Sequence, residues 1–381
     1  MTVSRKLDKI YDYIKSKGYD YEKSAIESLY LSLKTFPMVL LGGASGSGKT
    51  SLARLFANAC GANSENGRFK MVSVSSDWNC PKRLLGYVND EGKFVPGLIT
   101  DYIQIASKDK EFPYFLCLDE INLSRPEHYM SPILTSLETR RFNEEGEIVT
   151  DPLMDDGSFG SDISAKYSYS GISIPDNLYI IGTLNFDDVS YTLTPKITDR
   201  VFIIELKSVS LKADFFDEQH FSVEPLDIDN TFLKSEYINL ADCREDIAFL
   251  KDYSVFWNNF NNIIIHDAAK VSLRTRNHML FYVAYNRKYK LSDIDTVTDT
   301  LILNKILPRI NGISDYVENT LKALFLTCMS TGGAGSEEYV KNSSAMQSAI
   351  ANRRCRYPGS ARKIMLMIRK YEEDGYTGSW F

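Results

Sequence analysis

The sequence predicts an α/β protein in which a mostly parallel, five-stranded sheet is followed by an all-helical domain. Three observations predict this fold class. Short apolar runs of strand length alternate with helical segments over the first half of the chain, which is typical of a parallel sheet covered on both faces. A glycine-rich loop joins the first strand to the helix that follows it. From about residue 233 onwards, apolar residues recur at helical spacing.

The apolar runs and the helical segments place the elements of the first domain. The five predicted strands span residues 38–43, 70–77, 114–120, 178–185 and 201–206, and the main predicted helices span residues 49–60, 97–108 and 126–139. In an open sheet of this kind, ligands bind at the carboxyl ends of the strands. The residues that carry functional chemistry fall at these ends or just after them, so we expect one ligand site there.

A chain of 381 residues is too long for one compact core, and more than one domain is expected. The predicted parts are an N-terminal helical segment at 1–35, an α/β core at 36–210, a linker at 211–232 and a helical domain at 233–381. Residues 141–173 are rich in Gly, Ser, Asp and Glu, which predicts a surface hairpin or loop inserted in the core. In a ring this insertion could face the pore or a partner protein, or it is simply solvated, and the sequence leaves these interpretations open.

Composition and charge exclude several classes of protein. The 44 basic and 50 acidic residues give a net charge of −6, which provides no bulk electrostatic argument for tight binding of nucleic acid. The charged N-terminus lacks the apolar core of a signal peptide, and no apolar run approaches the roughly 18 residues of a membrane span. The six cysteines and four histidines are scattered and predict neither disulfides nor a metal site. We therefore expect a cytoplasmic protein without a membrane segment.

The stretch "GASGSGKT" at residues 43–50 fits the phosphate-binding P-loop pattern G-x-x-x-x-G-K-[ST]. It follows the apolar run at 36–41 and precedes a helical segment, as a P-loop requires. Successive backbone N–H groups and the helix N-terminus can surround phosphate oxygens. Lys49 can reach the β- and γ-phosphates, and the Thr50 hydroxyl can bind Mg²⁺. The predicted nucleotide-binding residues of this loop are Gly43, Ala44, Ser45, Gly46, Ser47, Gly48, Lys49, Thr50 and Ser51.

Two further strand ends supply residues for hydrolysis. The apolar run at 114–118 ends in Asp119 and Glu120. Asp119 is predicted to hold the Mg²⁺ shell, and Glu120 is the candidate to orient or deprotonate the attacking water. The run at 178–184 ends in Asn185, which is placed to sense the γ-phosphate or to position that water.

Arg200 lies just before the last predicted strand. We interpret it as an arginine supplied across a subunit interface to the nucleotide of the neighbouring subunit. The alternative is a surface arginine or a local salt bridge to Asp199.

With these elements in order, the chain resembles an AAA+ NTPase, and more narrowly the McrB-type motor family of modification-dependent restriction systems. Beyond the P-loop, the resemblance rests on the stretches at 75–97, 118–138, 174–188 and 193–206. The Asn-x-x-Asp signature of the family corresponds to Asn185 and Asp188, and the resemblance implies that Asp188 also contacts the nucleotide. The arginine finger of the family corresponds to Arg200. The resemblance runs from about residue 15 to the C-terminus. It implies a P-loop AAA+ core followed by a helical lid.

The resemblance also implies an activity and an assembly. Family members form hexameric rings with the nucleotide between subunits, need Mg²⁺, and in the best-known cases prefer GTP over ATP. They drive DNA translocation with a McrC-like nuclease subunit, in restriction and anti-phage defence. A lid arginine often contacts the nucleotide, so Arg274 or Arg276 could serve, although both also fit plain surface charges. The basic segment at 351–370 fits a solvated helix face, a subunit contact or a DNA-facing patch.

Departures from the family pattern leave some points open. The terminal arginine of the family signature is replaced here by Val189, which leaves the choice between GTP and ATP open. About 35 residues precede the first strand, so we expect DNA target recognition to come from another chain or from the inserted loops. A MoxR-like ATPase that remodels protein partners is the alternative function. A third reading, a nucleotide-gated assembly module with little turnover, is disfavoured because Glu120 is present.

Overall fold

The computed structural model describes residues 1–186, 191–207, 223–264, 269–330, 336–352 and 355–379. The chain divides into two compact units. The first unit comprises Met1–Ile197 and Glu205–Ile238, and the second comprises Thr198–Ile204 and Asn239–Phe381.

A five-stranded sheet is the centre of the α/β fold, with strand order β2-β5-β8-β1-β9. The strands are β1 (Met38–Gly43), β2 (Phe69–Ser73), β3 (Gly86–Val88), β4 (Phe94–Pro96), β5 (Tyr114–Asp119), β6 (Arg141–Phe142), β7 (Ile148–Val149), β8 (Leu178–Asn185) and β9 (Phe202–Glu205). β8 pairs in parallel with β1 on one side and with β5 on the other, so that Ile180 is in register with both Met38 and Leu116. The predicted fold class, a parallel five-stranded sheet followed by helices, is confirmed.

Helices cover the sheet and form most of the second unit. In chain order they are α1 (Val3–Ser16), α2 (Lys23–Thr35), α3 (Lys49–Ala59), α4 (Lys82–Leu85), α5 (Thr100–Lys108), α6 (Pro126–Tyr129), α7 (Ser131–Glu138), α8 (Ile163–Tyr169), α9 (Pro195–Thr198), α10 (Ile247–Ile263), α11 (Leu273–Tyr289), α12 (Ile294–Leu301), α13 (Asp315–Cys328), α14 (Ser336–Tyr339), α15 (Ser343–Asn352) and α16 (Pro358–Asp374). A π-helical turn at Ile302–Ile306 continues α12.

The sequence predicts one helix over residues 126–139, and the structure breaks it at Met130 into α6 and α7. Pro132 lies in the first turn of α7. Proline has no N–H to donate to a preceding carbonyl, and it is tolerated only in the first turn of a helix. Pro132 therefore sets the start of the second helix.

The central strands are buried because helices cover both faces of the sheet. Every residue of β1 is buried, and the same holds for the first five residues of β5. α3 packs on this layer, with the Phe56 ring edge-on to Phe115 at 6.1 Å between centroids. The near-continuous apolar runs in the sequence are what such doubly covered parallel strands require.

The inserted residues 141–173 contain the β6–β7 hairpin and helix α8. Phe159 is fully buried and packs edge-on against Phe94 of β4, with 5.1 Å between the ring centroids. Ala165 of α8 joins the same small apolar cluster. The insertion and the β3–β4 hairpin thus pack around one small apolar core.

Residues 211–222 of the predicted linker lie outside the described residues. The part from residue 223 onwards belongs to the first unit, where the Phe232 ring lies 4.5 Å from that of Tyr30. Lys34 of α2 is almost fully buried and donates a hydrogen bond to the Thr231 carbonyl oxygen at 3.0 Å. The domain boundaries predicted from the sequence stay a prediction.

In the described part of the second unit, α10 carries a cluster of aromatic side chains. Trp257 of α10 lies edge-on to Tyr253 at 5.8 Å and close to Phe260 at 5.4 Å between ring centroids. All six cysteines of the chain are free thiols. Among the described residues, no helix is long and apolar enough to cross a membrane.

Candidate active site

The phosphate-binding loop connects β1 to α3 in the first unit. Gly43, Gly46 and Gly48 all have positive φ angles, of 153°, 77° and 87°, a region that side chains with a Cβ rarely adopt. At Gly48 a Cβ atom would also lie 2.5 Å from the Tyr21 hydroxyl oxygen. That hydroxyl donates a hydrogen bond to the Gly48 carbonyl oxygen at 2.8 Å. The glycines are therefore required by backbone conformation and by close approach.

Lys49 is buried inside this loop, with 5% of its surface exposed. Its Nζ donates to the carbonyl oxygens of Gly43 at 2.9 Å and Ala44 at 2.7 Å. A buried ammonium needs such partners because desolvation of an unpaired charge is costly. The loop thus holds a cation at the place where the sequence predicts the phosphates.

Asp119 and two threonines form a compact oxygen cluster. Thr50 at the start of α3 donates through Oγ1 to Asp119 Oδ1 at 2.6 Å. Thr183 of β8 donates to the same carboxylate oxygen at 2.7 Å. The adjacent parallel strands β5 and β8 bring Asp119 and Thr183 to the same edge of the sheet. A carboxylate and a hydroxyl are thereby fixed beside the phosphate loop.

This donor set fits Mg²⁺ as it is bound in nucleotide sites. Mg²⁺ takes hard oxygen ligands, usually one or two from the protein together with phosphate oxygens and waters. Thr50 Oγ1 and Asp119 Oδ1 supply two such oxygens. Within the described residues, no group of three or more His, Cys, Asp or Glu side chains could hold a metal ion by itself. The ion would therefore be shared between this pair and the nucleotide.

Glu120 follows Asp119 in an unusual backbone conformation. Its φ of 56° and ψ of 51° lie in the left-handed region, which costs a residue with a Cβ about 1–2 kcal/mol. The Glu120 N–H donates to Thr183 Oγ1 at 2.9 Å, and Asn185 Nδ2 donates to Glu120 Oε1 at 3.0 Å. Strained residues of this kind cluster at active sites because the surrounding contacts hold them in place. The carboxylate is thus oriented next to the metal-binding pair.

The structure brings together the predicted residues of the first unit: Lys49, Thr50, Asp119, Glu120 and Asn185. Asp188, also predicted to bind nucleotide, lies outside the described residues.

Three contributing residues are missed by the sequence analysis. Asn122 donates through Nδ2 to the Asn185 carbonyl oxygen at 3.1 Å, and it lies in the same motif as Asp119. Thr183 lies two residues before Asn185, on the alternate position of the strand that shares its face. A search along this strand for polar residues with period two would have found it. Tyr21 lies in the loop between α1 and α2, and no pattern in the sequence marks it.

The predicted arginines belong to the second unit. Arg200 precedes β9, and the carboxylate of its neighbour Asp199 forms an ion pair with Arg309. Arg274 and Arg276 lie in the first turn of α11, and the Arg276 guanidinium donates to Asn277 Oδ1 at 2.9 Å. The roles assigned to these three arginines stay predictions.

Comparisons with known proteins agree with this geometry. Residues 38–201 match the family model described as AAA domain (dynein-related subfamily). Residues 222–376 match a model described as a domain of unknown function (DUF8727). The chain has no significant match among the curated proteins. The AAA match supports an AAA+ NTPase, for which a nucleotide is the substrate and Mg²⁺ the typical cofactor.

Proposed function

We propose that this chain is the motor subunit of a ring-shaped, nucleotide-hydrolysing assembly of the McrB-like type. In this proposal the ring is a homohexamer, hydrolyses GTP or ATP, and drives DNA translocation for a McrC-like nuclease in restriction or anti-phage defence. The motifs at 75–97, 118–138, 174–188 and 193–206 support the McrB-like type. The match to an AAA domain over residues 38–201 supports the nucleotide-hydrolysing motor. AAA+ proteins commonly assemble into rings.

The hydrogen bond from Asn185 to Glu120, beside the Thr50–Asp119 pair, is the observation that carries the proposal. A protein that only binds nucleotide has no need for a carboxylate held in strained backbone geometry next to the metal-binding residues. In an enzyme that hydrolyses the γ-phosphate, a carboxylate at this place can orient the attacking water or accept its proton.

In this proposal, each residue of the site has a separate role in hydrolysis. The loop N–H groups and Lys49 bind the phosphates, while Thr50 and Asp119 would hold Mg²⁺, which neutralises developing charge on the phosphate oxygens when it is bound. Glu120 accepts a proton from the attacking water or orients that water, and Asn185 fixes the carboxylate. In a ring, Arg200 of one subunit would stabilise the transition state in the site of its neighbour.

Steady-state release of phosphate, measured separately with GTP and ATP, tests the proposal. Lys49→Ala and Glu120→Gln serve as controls that remove phosphate binding and water activation. We expect turnover that both variants abolish, and a ring in solution when a non-hydrolysable analogue is present. Added linear double-stranded DNA should bind to or stimulate the assembly.

The outcomes separate the parts of the proposal. Turnover with GTP favours the McrB-like assignment, and turnover with ATP alone, without any response to DNA, favours a remodeller of protein partners. A chain that neither turns over nucleotide nor assembles in its presence would contradict the motor function.

A further inference from the structure

The backbone on either side of Arg200 is held by side chains from the helices of the second unit. The segment concerned, residues 199–201, belongs to the second unit together with the helices from α10 onwards. We call it the arginine segment.

The Asp199 side chain is the first anchor of the arginine segment. The carboxylate pairs with the guanidinium of Arg309, whose side chain is 5% exposed. The same guanidinium donates through Nε to the Ala269 carbonyl oxygen at 3.1 Å and also to the Lys270 carbonyl oxygen. Because its donors form a rigid fork, an arginine with several partners has little freedom to move. The Asp199 side chain is therefore held in place by an arginine whose own position in the second unit is fixed.

Lys305 is the second anchor, and it bonds the backbone of the arginine segment. This lysine is 1% exposed and lies in the π-helical turn Ile302–Ile306. Its Nζ donates to the Val201 carbonyl oxygen at 2.6 Å and to the Asp199 carbonyl oxygen at 3.3 Å. It also lies 4.5 Å from the ring centroid of Phe202. Two carbonyls that flank Arg200 thus share one buried ammonium.

Burying this ammonium is costly, which argues against a chance arrangement. Burial, followed by the positive charge of Arg274, holds the pKa of Lys305 well below its usual range. π-helical turns are rare and occur frequently at functional sites. A methionine or leucine would fill the same space without any desolvation cost, but neither could hold the two carbonyl oxygens. The bonds to the arginine segment and the contact with the Phe202 ring offset this cost.

We infer that Lys305 and Arg309 are positioning residues that fix Arg200 for its action on the nucleotide of the neighbouring subunit. This inference rests on the proposed function, since it needs Arg200 to act across a subunit interface. With the backbone of residues 199 and 201 pinned, the Cα position of Arg200 is fixed. Orientation set in advance lowers the barrier because less freedom is lost in the transition state, and a misplacement of about 1 Å can cost ~100-fold in rate.

Subunit mixing tests this inference. Arg309→Met removes the anchor but leaves the nucleotide site of its own subunit intact. Lys49→Ala removes nucleotide binding but leaves its own Arg200 correctly held. In rings mixed from equal amounts, about a quarter of the head-to-tail interfaces combine an intact nucleotide site with an intact Arg200. We expect Arg309→Met alone to lose at least about tenfold in turnover, to bind nucleotide normally, and to regain activity on mixing with Lys49→Ala.

Matched variants complete the experiment. Arg287→Met is the control, because Arg287 pairs with Asp246 at 3.0 Å in the same unit but does not touch the arginine segment, and it should keep full turnover. Arg309→Lys retains the charge opposite Asp199 and should restore part of the rate. If Arg309→Met does not fold, then Asp199→Asn breaks the same ion pair while Arg309 keeps its carbonyl partners, and Lys305→Met tests the second anchor.

Arg200→Ala mixed with Lys49→Ala separates the two possible failures. If that mixture stays inactive, Arg200 does not act in trans, and the proposed function fails together with the inference. If that mixture recovers while Arg309→Met does not recover, or if Arg309→Met turns over like the wild type, the proposed function stands and the inference is overturned.

Discussion

Asn185 Nδ2 donates a hydrogen bond to Glu120 Oε1 at 3.0 Å, which joins the ends of two neighbouring parallel strands. The backbone N–H of Glu120 donates to Thr183, so the residue is held at its main chain and at its carboxylate. Because its φ of 56° is unfavourable, both contacts contribute to keeping it in place. We therefore expect Asn185 to affect the rate of hydrolysis by orienting the Glu120 carboxylate.

We expect Asn185→Ala to lower kcat by about 10- to 100-fold while nucleotide affinity stays unchanged, because the amide orients the carboxylate and does not bind the phosphates. Glu120→Gln should lower kcat by ~100-fold or more. Phosphate release and the binding of a non-hydrolysable analogue, measured on the same preparations, give both quantities. A fall in affinity equal to the fall in kcat would mean that Asn185 contributes mainly to binding.

Thr183→Val should reduce stability and turnover together. The change preserves shape but removes the hydroxyl that donates to Asp119 and accepts from the Glu120 N–H. Each hydrogen bond contributes about 0.5–1.5 kcal/mol to stability, so loss of the two should lower the free energy of unfolding by about 1–3 kcal/mol, as measured by urea titration. The concentration of Mg²⁺ that gives half-maximal turnover should rise, because Asp119 loses a partner that orients it.

Thr320→Val is the control for this prediction. Thr320 is also buried, and its hydroxyl donates to the Tyr316 carbonyl oxygen of its own helix. It should leave the Mg²⁺ dependence unchanged. An identical Mg²⁺ dependence in Thr183→Val would contradict the orienting role of Thr183.

The five strands of the central sheet and the residues at their ends could be predicted because burial and glycine leave clear patterns. The run that ends in Asp119 is apolar since both faces of β5 are covered. The P-loop is visible because only glycine tolerates the backbone at residues such as Gly48. Such signals are local, and they place an element to within a few residues.

Contacts made by residues outside the recognised motifs could not be predicted, because no periodicity encodes them. Tyr21 and Gly48 are 27 positions apart, and a tyrosine in a loop gives no signal for its partner. Lys305 and Val201 are 104 positions apart. From the sequence alone, a lysine within an apolar helix is interpreted as a surface residue. Only the folded chain shows that this lysine is buried.

Tyr21→Phe should weaken nucleotide binding through the P-loop. Burial raises the pKa of Tyr21, so its hydroxyl stays protonated and remains a donor to the Gly48 carbonyl oxygen. Loss of one such hydrogen bond costs about 0.5–1.5 kcal/mol, and part of this cost should appear as lower affinity for nucleotide, measured by titration calorimetry. Tyr102→Phe is the control, because Tyr102 bonds the Arg68 and Phe115 carbonyl oxygens away from the loop. If both variants bind nucleotide like the wild type, Tyr21 supports the fold alone.

Asp162→Ala should destabilise the insertion in a pH-dependent manner. The Asp162 carboxylate accepts hydrogen bonds from the Ala165 N–H at 2.9 Å and from the Phe94 N–H at 3.0 Å. The bond from Ala165, followed by the bond from Phe94, holds the pKa of Asp162 below its usual value. A lowered pKa in the folded state stabilises the fold above the ordinary pKa of aspartate, about 3.9, and this stabilisation is lost as the pH falls through the folded-state pKa. The variant should therefore be less stable than the wild type at pH 7, and the difference should shrink below about pH 4.

Urea unfolding of wild type and variant across this pH range measures the difference, and hydrogen exchange at the Phe94 amide reports the insertion directly. Asp155→Ala is the control, because Asp155 caps the turn at Ser158 without bonding the Phe94 strand, and it should leave that amide protected. A loss of stability in Asp162→Ala that is the same at pH 7 and throughout the acid range below the ordinary aspartate pKa of about 3.9 would show that the carboxylate acts through packing, because stabilisation by the charged form falls as the pH drops towards the folded-state pKa.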